Sequence, residues 1–318
     1  MFAKRPRRAF TLVELLIVMV IISMLVALLI PAVTGVLRRA AEFRAGTEVA
    51  KLGQAVEAYE AQYGDYPPDF SELRLIADPD DLNTAAFNNS AIIGHLRKAF
   101  PKIEPAEVTR FKGYLYQELD AGRLPGPADS LFFWLGGMSA NVLRPFTGAG
   151  GPLIVTDDGN GNVVFLLRIQ DRHEPTFTFD TGALLINPTE TLVRYMPKDF
   201  DAPFVYFENG TYGTARFDYS SGNIVLPYTT ITSDRTSPPR VDFMNRNKFQ
   251  IICAGRDNIY APAIPSGASS PDPPFLYTTD KGRPFHPTEY QNPNGTSTNA
   301  AFNRFFDGQD DNLTNFSE

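Results

Sequence analysis

Residues 7–16 read Arg7-Arg8-Ala9-Phe10-Thr11-Leu12-Val13-Glu14-Leu15-Leu16, and the apolar run they open continues to Val33. From Leu15 to Val33 only Ser23 and Pro31 interrupt the apolar side chains. A helix needs about 20 such residues to cross the hydrocarbon core of a bilayer. A soluble core helix seldom stays apolar on every face. The first eight residues hold Lys4, Arg5, Arg7 and Arg8 and no acid. The positive-inside rule keeps such a cluster cytoplasmic, so the bulk of the chain is expected on the far side of the membrane.

Glu14 is out of place in this run. An ionised carboxylate deep in a bilayer costs about 2.5 kcal/mol or more. Either Glu14 lies near the interface and reaches water, or a partner neutralises its charge. Intramembrane acids are functional candidates by default.

The stretch from Arg7 to Leu16 resembles the class III signal of type IV pilins and of the pseudopilins of type II secretion. The resemblance implies that a prepilin peptidase cuts between Ala9 and Phe10 and that the new Phe10 amine is methylated. It also implies that Glu14 pairs with the N-terminal amine of a neighbouring subunit during filament assembly. Two opposite charges brought together in lipid offset much of each other's desolvation. The family usually has Gly before the cut, and here Ala9, the next-smallest side chain, takes that place. An ordinary secretory signal is the competing reading, but its apolar core runs to only about 7–15 residues. Pro31 sits where the family's long helix commonly kinks.

Beyond Pro31 the helical period persists. Val49, Leu52, Val56, Tyr59 and Tyr63 are spaced 3, 4, 3 and 4 and form a one-sided apolar stripe. Arg38, Arg39, Glu42, Arg44, Glu48, Lys51, Glu57 and Glu60 occupy mostly other faces. Gly64, Asp65 and Pro67-Pro68 end the helix. The Tyr66-Pro67 turn, with Phe70 and Leu73 after it, also resembles the family's segment just past the helix.

The expected fold is α+β and pilin-like: a long N-terminal helix packed on an antiparallel β-sheet head with long loops. The expected organisation is a leader at 1–9, a membrane-spanning half-helix at 10–33, an amphipathic half at 34–63 and an extracytoplasmic head at 64–318. Within the head, helical stretches are expected at Ile92–Phe100, Pro105–Phe111 and Tyr114–Leu119. Ile154–Thr156 and Val163–Ile169 flank Asp157-Asp158-Gly159-Asn160-Gly161-Asn162, a hairpin signal. Its pattern faintly resembles a calcium loop, but no Glu stands at the twelfth position, so a simple turn is expected. Further strands are expected at Phe177–Phe179, Phe204–Tyr206, Ala215–Tyr219 and Phe249–Cys253. The Pro-rich residues 261–300 read as one long loop.

The 318 residues carry a net charge of −7, which argues against a generally basic nucleic-acid binder. Cys253 is the one cysteine, so no intrachain disulfide forms, and Ile251 and Ile252 beside it suggest a buried strand. A nucleophilic role needs a base, and His95, His173 and His286 are far apart in the chain.

The chain end resembles the major (G-type) pseudopilin of type II secretion. There a strand leads to a Gly/Asp segment, and an acidic loop near the C-terminus binds calcium. Phe249 to Asn258 resembles the first part and Asp307 to Phe316 the second. The resemblance implies calcium ligands among Asp257, Asp307, Asp310, Asp311 and Asn312. Calcium takes six to eight oxygens, which carboxylates, Asn amides and loop carbonyls supply. The long insertion between the two parts breaks the family's spacing, and a solvated acidic tail is the alternative.

No Gly-x-Ser-x-Gly, Walker loop, His-Glu-x-x-His or Cys-x-x-Cys is present. A non-enzymatic pseudopilin of a type II secretion system is therefore expected. It would be a single-pass protein of the bacterial inner membrane, N-terminus cytoplasmic and head periplasmic. Its partners would be other pseudopilins, the prepilin peptidase and the inner-membrane secretion platform. A minor type IV pilin of a surface pilus, adhesion or DNA-uptake system is the alternative, and a membrane-anchored periplasmic hydrolase a distant one.

Overall fold

The computed structural model describes residues 12–220, 223–233, 240–258, 260, 275–278, 283–284 and 313–315. Helix α1 runs from Leu12 to Tyr63 without a break at Pro31. It ends where Gly64 takes a φ of 79° and donates its N–H back to Glu60 O at 2.7 Å. Glycine adopts that left-handed conformation without steric penalty.

The chain divides into two compact units, Met1–Arg44 and Ala45–Glu318. Within the second, the expected stripe is the buried face of α1. Val49, Leu52, Val56 and Tyr59 are all buried, and Tyr63 is half-buried. Ala45 and Ala55 widen the stripe. Gly53 faces the Phe249 ring, which a Cβ there would meet at an ordinary contact distance of 3.9 Å.

Four short helices follow: α2 (Ala85–Asn88), α3 (Ala91–Ala99), α4 (Pro105–Asp120) and α5 (Ser130–Leu135). Helix α3 starts on a Ser90 cap, whose hydroxyl accepts from Ile93 N. The two helical stretches expected at 105–119 are one helix, because Gly113 does not break it. Glycine is there for space: a Cβ would meet the Phe165 ring at 2.9 Å. In α5 the run Leu131-Phe132-Phe133-Trp134-Leu135 is buried on every side. It coils because Arg172 and the 176–177 segment satisfy its last carbonyls.

The strands, in chain order, are β1 (Leu153–Asp157), β2 (Val163–Leu167), β3 (Leu184–Ile186), β4 (Val193–Tyr195), β5 (Val205–Glu208), β6 (Phe217–Ser220), β7 (Asn223–Val225), β8 (Tyr228–Ser233), β9 (Arg240–Phe243), β10 (Phe249–Cys253), β11 (Phe275–Thr278), β12 (Arg283–Pro284) and β13 (Leu313–Thr314). They form small sheets ordered β1-β2, β13-β10-β5, β12-β11-β8-β9, β3-β4 and β6-β7. Among the described residues all pairings are antiparallel except β8 with β11. The α+β, pilin-like class of long helix and small antiparallel sheets holds. The hairpin forms as expected, with Leu153 opposite Leu167 and Asp157 opposite Val163. Its turn carries φ values of 82° at Gly159 and 89° at Gly161.

Two expectations are corrected. Phe177–Phe179 is not a strand. Phe177 N and the Thr176 hydroxyl instead donate to Leu135 O, both at 3.1 Å, and close the end of α5. The Phe177 and Phe179 rings pack on each other and on Tyr195. Residues 261–300 are not a single loop, since β11 and β12 lie within them.

The sheet β13-β10-β5 lies at the centre. Successive side chains of a strand point to opposite faces. The Phe249 and Tyr206 rings pack tilted, with centroids 5.9 Å apart, on one face, where Phe249 also meets Tyr66 and Gly53 of α1. Val205, Phe207 and Ile252 point the other way into a cluster with Phe217, Val225, Tyr228 and Tyr260. Buried Gln250 joins this sheet to β8: its amide nitrogen donates to Tyr228 O at 3.0 Å, and its oxygen accepts from Tyr228 N at 2.7 Å. A second, aromatic core gathers Tyr59, Phe70, His95, Phe111, Phe133, Trp134 and Phe146.

Candidate functional site: the N-terminal helix and its acid

The first unit holds the feature that the sequence singles out. Large apolar side chains from Leu12 to Val33 are exposed throughout, with Leu12 at 78 % and Leu28 at 67 %. Among the described residues α1 is the one helix long and apolar enough to cross a membrane, and none of its apolar window is buried by the rest of the protein. At about 1.5 Å per residue, Leu12–Val33 rises about 33 Å, which matches a hydrocarbon core of about 30 Å.

Polar atoms inside this stretch are satisfied by the helix itself. The Ser23 hydroxyl donates to Met19 O at 2.7 Å, and Thr34 Oγ1 donates to Pro31 O at 3.0 Å. Backbone satisfaction of this kind lets a lone hydroxyl lie in lipid. Pro31 has no N–H and leaves the Ala27 carbonyl without its usual donor. Glu14 stands in the first turn of α1, where the helix dipole favours a negative charge. Ala9 and Phe10 lie outside the described residues.

The proposed calcium residues are placed only in part. Asp257 closes a short 3-10 turn, Gly255–Asp257, directly after β10. Asp307, Asp310, Asp311 and Asn312 lie outside the described residues. The topology nevertheless returns the chain end to that strand: Cys253 pairs with Leu313 and Ile252 with Thr314. The Asn315 side chain accepts from Ile251 N at 2.8 Å. Among the described residues no three His, Cys, Asp or Glu side chains gather as a metal site.

The hairpin acids are a turn device. Asp158 accepts from Asn160 N, Asn162 N and Asn162 Nδ2 at 2.8, 3.1 and 2.8 Å. The Asn162 side chain first, then these amides, hold its carboxyl down to about 2. Cys253 is buried in β10. His95 is buried against Tyr59, His173 sits beside Glu174, and His286 lies outside the described residues.

Buried polar groups that the sequence did not flag brace the head. Arg172 donates to the carbonyls of Phe132, Phe133 and Gly137, and desolvation lowers its guanidinium to about 9. Buried Glu107 accepts from Phe146 N at 2.9 Å and from Thr147 N and Oγ1 at 2.6 and 2.7 Å. Glu118 holds Arg123 at 2.7 Å and the Thr191 hydroxyl at 2.9 Å. Tyr195 donates to Glu48 of α1 at 2.6 Å. These carboxylates spend their oxygens on the protein's own donors, so they tie loops to helices.

Residues 4–30 match the family described as the prokaryotic N-terminal methylation motif. No curated protein and no solved structure matches the chain. The N-terminus is therefore type IV prepilin-like, which implies processing by a prepilin peptidase and assembly with other pilins.

Proposed function

We propose that this chain is a pseudopilin of a type II secretion system, a subunit that assembles through α1 into a periplasmic filament and carries no catalytic activity. The carrying observation is the coincidence of the methylation motif at residues 4–30 with a helix that is apolar on all sides and unburied from Leu12 to Val33. Cleavage between Ala9 and Phe10 leaves a charged amine at the membrane surface, and Glu14 is the acid of the span that offsets it. The chain is anchored in the inner membrane by one pass, with its head in the periplasm. Calcium binding by Asp257 with Asp307, Asp310, Asp311 and Asn312 belongs to this reading. The pairing of β13 with β10 supports it, since that register brings the chain on both sides of the insertion to one strand.

Glu14→Val tests the assembly step. Removing the acid makes the span more apolar and leaves the leader junction untouched, so insertion, cleavage and head folding should persist. Incorporation into filaments should fail, because removing one partner of a buried ion pair costs about 3–5 kcal/mol, roughly a hundredfold to several thousandfold in an equilibrium constant. The measurement is crosslinking to other pilin-like subunits, with export of secreted proteins as the second readout. Normal incorporation of the Val variant would contradict the proposal. Lost surface piliation with intact secretion would move the chain to a surface pilus.

A further inference from the structure

The tip of the β1–β2 hairpin carries the dipeptide Asn160-Gly161, and both residues are exposed. The side-chain amide of an asparagine is electrophilic at Cγ. The backbone nitrogen of the next residue can reach that carbon and close a five-membered ring. Glycine as the next residue leaves this nitrogen unshielded, since it has no Cβ. Asparagine accordingly counts among the thermolabile residues. Whether a given Asn-Gly reacts in a folded chain depends on two things. The glycine nitrogen must be free of an acceptor, and the peptide must have room to rotate onto the side chain.

The hairpin turn meets both conditions at one position. Asp158 N donates to Asn162 O at 3.2 Å, and Gly159 N donates to Asp157 Oδ1 at 2.7 Å. Asn160 N and Asn162 N both donate to Asp158 Oδ1, at 2.8 and 3.1 Å. Among the described residues no acceptor takes the remaining amide of the turn, Gly161 N. A Cβ built on Gly161 would meet nothing within 4 Å, so the space for rotation is open.

A second Asn-Gly, Asn209-Gly210 at the end of β5, has the opposite surroundings. Gly210 N donates to Glu208 Oε2 at 2.9 Å. Asn209 is half-buried, and its own N–H donates to Lys248 O at 3.2 Å. Thr211 N closes the turn onto Glu208 O at 3.1 Å. Here the attacking nitrogen is held by a carboxylate and the peptide on each side of it is pinned. Asn294-Gly295 lies outside the described residues.

We infer that Asn160 is a site of spontaneous covalent modification, converted through a succinimide to aspartate and isoaspartate, and that the fold protects Asn209 from the same reaction. Gly161 N gives its proton to solvent and attacks Asn160 Cγ. The N–Cγ bond forms, the Cγ–Nδ2 bond breaks, and Nδ2 leaves as ammonia after taking a proton from solvent. One water then opens the ring. Addition at Cγ gives aspartate, and addition at the main-chain carbonyl gives isoaspartate, whose backbone runs through Cγ. Nothing is oxidised or reduced, and the sum exchanges an amide NH2 for OH. The product sets a third carboxylate beside Asp157 and Asp158. The body of the hairpin is held independently of its tip. Gln117 Nε2 donates to Phe165 O at 2.9 Å, and Gln117 Oε1 accepts from Phe165 N at 2.8 Å. The head therefore stays folded, and the product accumulates as a more acidic form of the native protein.

This inference is independent of filament assembly. The purified full chain is held in detergent in a mildly alkaline buffer, which favours the deprotonated Gly161 nitrogen. Peptide mapping by mass spectrometry follows the exchange of NH2 for OH at each asparagine, and an isoaspartyl methyltransferase assay counts the isoaspartate. Conversion at Asn160 should exceed that at Asn209 by about tenfold or more, because a hydrogen bond to a charged acceptor must first open at Gly210. In denaturant the two sites should react at similar rates. Asn160→Gln can close only a six-membered ring, so it should remove the signal at the turn and leave Asn209 as it was. An intact Asn160 in the native chain, or equal conversion at both sites, would overturn the inference. So would a preference for Asn160 that persists in denaturant, since flanking sequence and not the fold would then make the choice.

Discussion

Glu208 reports the charge balance of its surroundings in a way that pH can read. Its folded carboxyl sits at about 7, against an ordinary 4.5, because it is buried first and faced by Asp69, Asp65 and Glu72 second, with the Gly210 amide pulling the other way. A carboxyl raised on folding contributes stability that is complete below its unfolded pKa and is lost as pH rises through the folded one. Glu208→Gln stays neutral throughout, so it should match the parent near pH 4 and exceed it at pH 8, by up to about 3 kcal/mol. Asp69, raised by burial, and Asp65, lowered chiefly by its hydrogen bond with His95, titrate in both proteins. Melting curves of the pair at pH 4 and pH 8 measure it, and parallel profiles would refute the assignment. Little of this was legible beforehand. Asp69 and Glu208 are 139 residues apart, and neither belongs to a motif. Glu14 was legible because a single acid in a long apolar run is costly anywhere in it. Cys253 was legible because its neighbours are β-branched.

At the scale of elements, legibility followed periodicity and failed where partners decide. Helix α1 announced itself twice, by its all-round apolar half and by the 3-4 spacing from Val49 to Tyr63, and Gly64 with Pro67-Pro68 marked its end. The 153–167 hairpin was written in its Asp-Asn-Gly turn. Helix α5 was not, because six consecutive buried residues have no period. Its coil rests on Arg172, which arrives from about 40 residues further along. Phe177–Phe179 has strand composition, yet its amide was taken by the Leu135 carbonyl. The leader and α1 together carry a prediction of their own. The match at residues 4–30 implies a processed element, and the Ala9-Phe10 junction is the cut we propose. Mass analysis of the N-terminus from membrane-extracted protein should find Phe10 as the first residue, carrying one added methyl group. An uncut Met1, or a first residue beyond 30, would mean that α1 is not used as a prepilin signal.

For the molecule as a whole, the long insertion between β10 and β13 raises the question of what holds the chain end in place. Among the described residues strand β13 has two residues, which pair with Ile252 and Cys253, and Asn315 adds a contact to Ile251. A two-residue pairing contributes little beyond the entropy it costs to close a loop of this length. The strand it joins is the buried centre of the head, so a failure here would reach the packing of Phe249 against α1. A calcium ion bound by Asp257 and by acids of the 307–312 segment would fix the chain on both sides of this pairing, and would bind the folded state alone. Binding confined to the folded state adds about 2.7 kcal/mol at about 100 times the dissociation constant. For a head of this size that is roughly 5–10 °C in melting temperature. EDTA should therefore lower the melting temperature of the full chain by that order, and added calcium should restore it. Asp310→Asn combined with Asp311→Asn should melt near the EDTA value whether or not calcium is present, while the Glu208→Gln protein should keep the full calcium response. If calcium leaves the parent unchanged after its removal has been verified by metal analysis, the acids of the chain end are solvated charges, and the β10–β13 pairing must stand on its own hydrogen bonds.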